Sequence, residues 1–430
     1  MINNNNNVDI YAQKNQYMFP HDLTIEDCRE ATKNVPGFRE TNKNGLICFN
    51  YDFATRQSFP DPLSAPDHKT SYLLKVRREC RGIIFDKESG QVVCRKFHKF
   101  FNINELEETS QDKIVLAGAK YCIMEKLDGS LIAPIYLNQV ISWGSKAGHT
   151  ELSEKVDKFI EKKQAEIKYN DMARYWLERG CTPMFEWCSE SQRIVLYYPV
   201  DTLSLTAVRS IRTGDYILYD EMVKVAAQFN VPVAKCVDQA ALCSESKTAE
   251  ELLVKVQEMK DIEGYILRFD DGRVYKMKCT WYFNLSKSAP INLTHEKDIW
   301  MMILDNKLDD TVSGLCAMGP LPVRYVKIQK FARELFETIE ELTHNVINEL
   351  YTIKQAKRTR KIIHADSQIE PHFKKLLFEF FDEIDVEEDR SIYLSRVSKF
   401  IIYHLKSQCG TASKLNHARE MVGGLKGKDE

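Results

Sequence analysis

The amino-acid sequence predicts an α+β fold, with antiparallel sheets walling a cleft, followed by an all-α C-terminal domain. Three observations carry this. Short apolar segments flank turn-forming residues from about Cys48 to Lys278, a stretch rich in Lys, Glu, Ala and Leu interrupts them, and beyond about Pro290 long amphipathic stretches take over.

Arg81 to Asp86 and Gln91 to Lys96 flank Lys-Glu-Ser-Gly and read as a hairpin. Leu131 to Leu137 and Val140 to Trp143 do the same around Asn138-Gln139, as do Tyr265 to Phe269 and Val274 to Lys278 around Asp270 to Arg273. Glu151 to Arg179 has the composition of a helix. From Ile328, the residues Phe331, Leu335, Ile339, Leu342, Val346 and Leu350 recur at spacings of three and four, one face of a long helix. Just beyond, Lys354, Lys357, Arg358, Arg360 and Lys361 concentrate positive charge, either a solvated helix end or a phosphate contact. The expected division is a disordered tail over residues 1–15, which holds the Asn3 to Asn7 run, a strand-rich domain over 16–290 and a helical domain over 291–430.

Bulk properties bound the function. At 430 residues and 43% hydrophobic content the chain can bury two cores. Its 60 basic and 62 acidic residues give a net charge of -2, so any nucleic-acid surface has to be a local patch. The 12 cysteines contain no C-x-x-C pair, which argues for reduced thiols rather than a zinc site or a disulfide framework. No secretory signal and no apolar run long enough to span a bilayer is found, so a cytoplasmic protein is expected, in a host's cytoplasm if it is viral.

The chemistry is concentrated in Glu125-Lys126-Leu127-Asp128-Gly129-Ser130, where a lysine stands between an apolar strand and a tight turn. A lysine is a nucleophile only where desolvation or neighbouring cations help it release a proton. Lys276 and Lys278 alternate on one strand, project to one face and can both supply such cations and meet phosphate charge.

Further segments follow in a fixed order: Glu79-Cys80-Arg81-Gly82, His98-Lys99-Phe100-Phe101-Asn102, Ser145-Lys146-Ala147-Gly148, Phe185-Glu186-Trp187, Glu263-Gly264-Tyr265, and Tyr275 to Lys278 with Trp281-Tyr282. Together they resemble the T-even phage RNA ligase 1 family of ATP-dependent RNA ligases, within the covalent nucleotidyltransferases, from about Tyr51 to Ser286.

That resemblance implies an adenylyltransferase domain around an ATP cleft, with Mg2+ as cofactor, and Lys126 as the residue that becomes lysyl-AMP. It places Arg81, Lys99, Lys146 and Tyr51 at the nucleotide and gives Asp128 a part in attack by the RNA 3′-hydroxyl. Arg81 has the planar fork suited to a phosphate. Glu186 suits either a ribose hydroxyl or an ion pair with an arginine such as Arg193. Glu263 is the candidate for organising the divalent cation through its waters. The implied partner is RNA bearing 5′-phosphate and 3′-hydroxyl ends, with nicked tRNA as one form, alongside a separate end-healing kinase and phosphatase. The C-terminal domain would then help choose the RNA. Rival readings are a DNA ligase or capping enzyme, both of which usually carry an OB-fold after the nucleotidyltransferase domain, and a non-catalytic RNA-binding protein, which would have eroded the charged set. The sequence leaves the oligomeric state open.

Overall fold

Alternation of apolar and polar residues, broken by Gly, Asn and Asp, divides the first part of the chain into short strands. The computed structural model describes residues 9–52, 54–138, 140–146, 148–190, 194–237, 248–286, 296–309, 311–312, 323–366, 369–409 and 412–425. The Asn3 to Asn7 run, Gln139, Ala147, Arg193 and the boundary near Pro290 lie outside the described residues. Two compact units emerge, one drawn from Met1–Lys33, Lys43–Asn50 and Phe59–Ser288, the other from Asn34–Asn42, Tyr51–Ser58 and Ala289–Glu430.

The described strands are β1 (Phe38–Lys43), β2 (Leu46–Tyr51), β3 (Ile83–Asp86), β4 (Val92–Cys94), β5 (Phe101–Asn102), β6 (Tyr121–Glu125), β7 (Ser130–Leu137), β8 (Val140–Ser145), β9 (Cys181–Cys188), β10 (Thr202–Ser210), β11 (Gly264–Phe269) and β12 (Val274–Lys278). All three expected hairpins form, as β3 with β4, β7 with β8 and β11 with β12.

In the first unit, one sheet has the order β5-β12-β11-β6, with β11 antiparallel to both neighbours and β5 parallel to β12. This arrangement brings the end of β6, the start of β11 and the end of β12 to one edge, since Gly264 pairs with Lys278 and Tyr265 with Glu125. The other large sheet, β10-β9-β7-β8, is antiparallel throughout, and places Glu186 of β9 opposite Leu131 of β7 and Ser204 of β10.

The expected helix over Glu151 to Arg179 is two helices, Glu151–Lys163 and Tyr169–Leu177. The break lets two apolar faces, Val156 and Ile160 on one helix and Met172, Ala173 and Trp176 on the other, enter the same core with Phe185, Leu203 and Leu205. A single straight helix of that length would carry its later face away from the sheet. Beneath the other face, Ile123, Leu267 and Met277 close on Leu252 and Val256 of the helix Ala249–Glu258.

A buried ion cluster braces this unit. The Glu79 carboxylate, at the end of the helix His68–Glu79, receives both Arg209 Nη atoms at 2.7 Å and Arg95 Nε at 3.1 Å. Arg95 also donates to the carbonyls of Pro20, Ile211 and Arg212. The two guanidinium groups outweigh burial and hold the Glu79 carboxyl down at about 2.

Near the amino end, the segment Ile10–Asn15 is a helix capped by Asp9, although the sequence reads as tail to residue 15. In the second unit the periodic stretch from Ile328 lies in the helix Val323–Gln355, with Phe331, Leu335, Ile339, Val346 and Leu350 in the core. Every described element from Glu296 onward is helical. Arg39 belongs to this unit and is buried, forking onto both Glu340 oxygens at 2.8 Å and reaching Asp52 at 3.1 Å. Within the basic run, Lys354 donates to the Ile384 carbonyl and Arg360 pairs with Asp382 at 2.7 Å, so two of its members serve the helical fold.

Candidate active site

Lys126 leaves β6 with its backbone N–H donating to the Gly264 carbonyl at 3.0 Å, which fixes the turn against β11. Its Nζ stands 2.6 Å from Glu263 Oε1, and Lys278 Nζ reaches the same oxygen at 3.4 Å. Glu263 is buried, whereas both lysines keep some exposure. One carboxylate thus collects two ammonium groups at the sheet edge. Gly264 permits this approach, because its φ of +142° suits glycine and an added Cβ would strike the Met277 carbonyl.

Lys276 sits two residues back on the same face of β12, with Nζ 5.1 Å from the centre of the Phe100 ring. Burial first, then the charges of Lys99, Lys278 and Lys126, push its ammonium down to about 8 against the pull of Glu105. Lys99 itself lies 5.3 Å from the Phe59 ring centre and 5.2 Å from that of Phe101. Glu186 feels the opposite environment: burial and the nearby Glu263 raise its carboxyl to about 7, although Lys126 and Arg81 favour the charged form.

Arg81 follows the helix His68–Glu79, and its Nη1 is buried without a hydrogen-bond partner. A buried nitrogen of this kind, on a half-buried arginine, suits an arriving anion. Next to it Gly82, with φ +89°, has the Lys146 carbonyl where a Cβ would stand, which places the turn after β8 against the Arg81 segment. The Gly82 carbonyl in turn accepts from buried Lys96 Nζ at 2.7 Å.

Asp128 is buried and fully engaged. Its Oδ2 accepts the N–H groups of Val195 and Leu196 at 2.9 and 2.7 Å, and Oδ1 accepts Tyr282 Oη at 2.7 Å. Its own N–H donates to Tyr198 Oη at 3.0 Å. Tyr198 drew no notice in the sequence; a tyrosine beside another tyrosine in a loop carries no spacing signal.

The structure therefore gathers Lys126, Glu263, Lys278, Lys276 and Glu186, with Arg81 and Lys99 close enough to perturb them electrostatically. Tyr51 falls in the second unit, its ring 5.5 Å from that of Phe38. Among the described residues, no three His, Cys, Asp or Glu side chains cluster as a metal cage, and no helix is long and apolar enough to cross a membrane. This cation-rich strand end, where one buried carboxylate lies between Lys126 and Lys278, would suit a polyphosphate accompanied by a hydrated divalent ion.

Antiparallel sheets with a lysine at the K-x-D-G turn, and helices throughout the described residues from Glu296, give the α+β architecture with a helical second part that the sequence predicts. Residues 79–287 match a family model described as RNA ligase, that of the T4 RNA ligase 1 type, and the resemblance read from the motifs holds across that stretch. A protein of Thermovibrio ammonificans provisionally named an RNA ligase is 27% identical over 380 residues, 84% of this chain and 88% of its own. RNA ligase 1 of bacteriophage TS2126 is 22% identical over 62% of this chain and 65% of its own. A protein of Autographa californica nuclear polyhedrosis virus, provisionally named a bifunctional polynucleotide kinase/RNA ligase, is 24% identical over 65% of this chain but only 40% of its own. Among solved structures, an archaeal ATP-dependent RNA ligase aligns over 78% of this chain and 83% of its own, with a TM-score of 0.41 and 10% identity.

Proposed function

We propose that the chain joins RNA 5′-phosphate and 3′-hydroxyl ends at the expense of ATP, with Lys126 as the covalent carrier of the adenylate. The observation that carries this is the convergence of Lys126, Lys278 and Glu263 on one oxygen at the sheet edge, with Lys276 held among cations behind them. Lys126 Nζ, once deprotonated and turned from Glu263, attacks the α-phosphorus of ATP; a P–N bond forms and the bond to pyrophosphate breaks. An oxygen of the RNA 5′-phosphate then displaces the lysine, returning the electron pair to Nζ. Finally a 3′-hydroxyl attacks that activated phosphate, losing its proton as AMP departs.

Lys276, Lys278 and Arg81 would meet the charge that builds on phosphorus in each displacement. Glu263 would hold a Mg2+ ion, which when bound neutralises phosphate oxygens. Asp128 would organise the turn, its oxygens being committed to the backbone of Val195 and Leu196 and to Tyr282. Glu186 would serve the ribose. Lys99 and Lys146 would reach the phosphates, and Tyr51 would complete the nucleotide contacts. Repair of cleaved RNA, including nicked tRNA, with a separate kinase and phosphatase to heal the ends, is the occasion this reading favours; the viral relative, whose name couples a polynucleotide kinase to an RNA ligase, supports an end-healing kinase step. The helical character of the described residues after Glu296 speaks against the OB-fold expected of a DNA ligase or capping enzyme.

Incubation with ATP labelled at the α-phosphate tests the reading. Label should survive denaturation of the chain, fail with GTP, and vanish in Lys126→Ala. Full labelling of that variant would reject the assignment.

A further inference from the structure

The turn that follows β5 buries an acid beside the lysines of β12. Asn102 of β5 pairs with Lys276 of β12 in parallel register, and the Ile103 N–H donates to the Lys276 carbonyl at 3.0 Å. Paired residues on neighbouring strands turn their side chains to the same face. Asn102 gives both its backbone N–H and its Nδ2 to one oxygen, Glu105 Oε2, each at 2.7 Å. Thr109 closes the turn, its hydroxyl donating to the Asn102 carbonyl at 2.9 Å and accepting the Leu106 N–H at 3.0 Å. Asn102 is 5% exposed, and Glu105 and Thr109 are each 4% exposed, so the carboxylate is fixed in place and shielded from water.

A turn of this shape needs an acceptor there but no charge. Both donors to Glu105 are neutral amides that a glutamine oxygen would satisfy as well, whereas a buried carboxylate costs free energy unless a cation faces it. Asn102 even leaves its own Oδ1 buried without a hydrogen-bond partner while its Nδ2 serves Glu105. The cation at hand is Lys276, which lies against Phe100 and faces three like charges, those of Lys99, Lys278 and Lys126. The other acids of the site are turned elsewhere: Glu263 to Lys126 and Lys278, Glu186 to Lys126 and Arg81. The charge that favours the Lys276 ammonium against burial and its neighbours is that of Glu105.

We propose that Glu105, clamped by Asn102, is a positioning residue for adenylyl transfer that keeps Lys276 in its charged form for phosphate. This rests on the reading above, in which Lys276 meets phosphate while Lys126 carries the adenylate. The three lysines are then shared between two acids, Glu263 for Lys126 and Lys278, and Glu105 for Lys276.

In the full chain, Glu105→Gln keeps the acceptor and removes the charge. The alkaline downturn of kcat/KM for ATP in the labelling reaction should then move about half a pH unit or more to the acid side, because the ammonium has lost the carboxylate that favours it. In Lys276→Arg, whose guanidinium stays protonated, adding Glu105→Gln should leave the downturn where it is. An unmoved downturn in Glu105→Gln, a loss of activity equal at every pH, or the same shift in the arginine background would overturn the proposal. Should the glutamine variant fail to fold, the unmodified protein decides. The carboxyl carbon NMR signal of Glu105 should shift as Lys276 titrates near pH 8, and a signal flat through that range would overturn the proposal. Failure of the joining reading is distinct: the unmodified chain would take no label from ATP at any pH, while the carboxyl signal would still report the pairing.

Discussion

Lys126 Nζ and Glu263 Oε1 lie 2.6 Å apart, and the carboxylate that holds Lys126 also holds Lys278. Glu263 therefore balances two positive charges in a place that water reaches poorly, and the mechanism proposed above requires it to let go of Lys126 before that amine attacks.

Removing that carboxylate leaves two ammonium groups facing each other. Glu263→Ala should slow transfer of labelled adenylate to Lys126 by about a hundredfold or more, the scale on which single electrostatic groups act in such sites. Glu263→Gln should fare little better, because shape without charge does not balance the lysines. A labelling rate within a few-fold of the unmodified protein would show that Glu263 is dispensable.

Lys276 supplies a pH limit. With its ammonium pushed down to about 8, the charge it offers to phosphate is lost as pH rises through that value, earlier than for an ordinary lysine. The pH profile of kcat/KM for ATP should turn down near that point. In Lys276→Arg the guanidinium stays protonated and the downturn should move to higher pH.

Glu186 affects stability with the opposite sense. Its carboxyl, raised to about 7 in the fold from an ordinary value near 4.5, resists ionisation. Both states are protonated below pH 4.5; between 4.5 and 7 the unfolded chain ionises while the fold does not, so stability falls with rising pH, by at most about 1.4 kcal/mol per pH unit. Denaturant titrations across this window should show a shallower decline in Glu186→Gln.

Glu79 gives the acid limb. Its carboxyl is held down at about 2, so its contribution is present above pH 4.5 and lost as pH falls through 2. Glu79→Gln leaves Arg95 and Arg209 buried against a neutral amide, and should lower unfolding free energy by about 3–5 kcal/mol. Urea unfolding at neutral pH measures it directly.

Much of this site could be read from the residues in order, and the reasons differ by element. Lys276 and Lys278 were legible because a strand's two-residue period fixes which side chains share a face. Lys126 was legible from the strand-to-turn switch at Asp128-Gly129. The service of Asp128 to Val195 and Leu196 was not, since the partners are backbone groups 67 and 68 positions away, and a backbone N–H has no residue signature. The break within Glu151 to Arg179 was hidden for another reason: both halves have good helix formers, and the sheet beneath decides where the chain must turn. Tyr51 is placed at the nucleotide by the resemblance alone; its ring packs on Phe38 in the second unit, a contact that no sequence spacing announces.

The segment Glu79-Cys80-Arg81-Gly82 divides its labour letter by letter. Glu79 is foundation, clasped by Arg95 and Arg209, while Arg81 carries a buried Nη1 that no neighbour satisfies. If Arg81 meets phosphate as proposed, a descendant that abandoned catalysis but stayed folded would still require the first acid and would be released from the arginine two places on. Reading those two positions separately is thus a way to tell a working copy from a retired one.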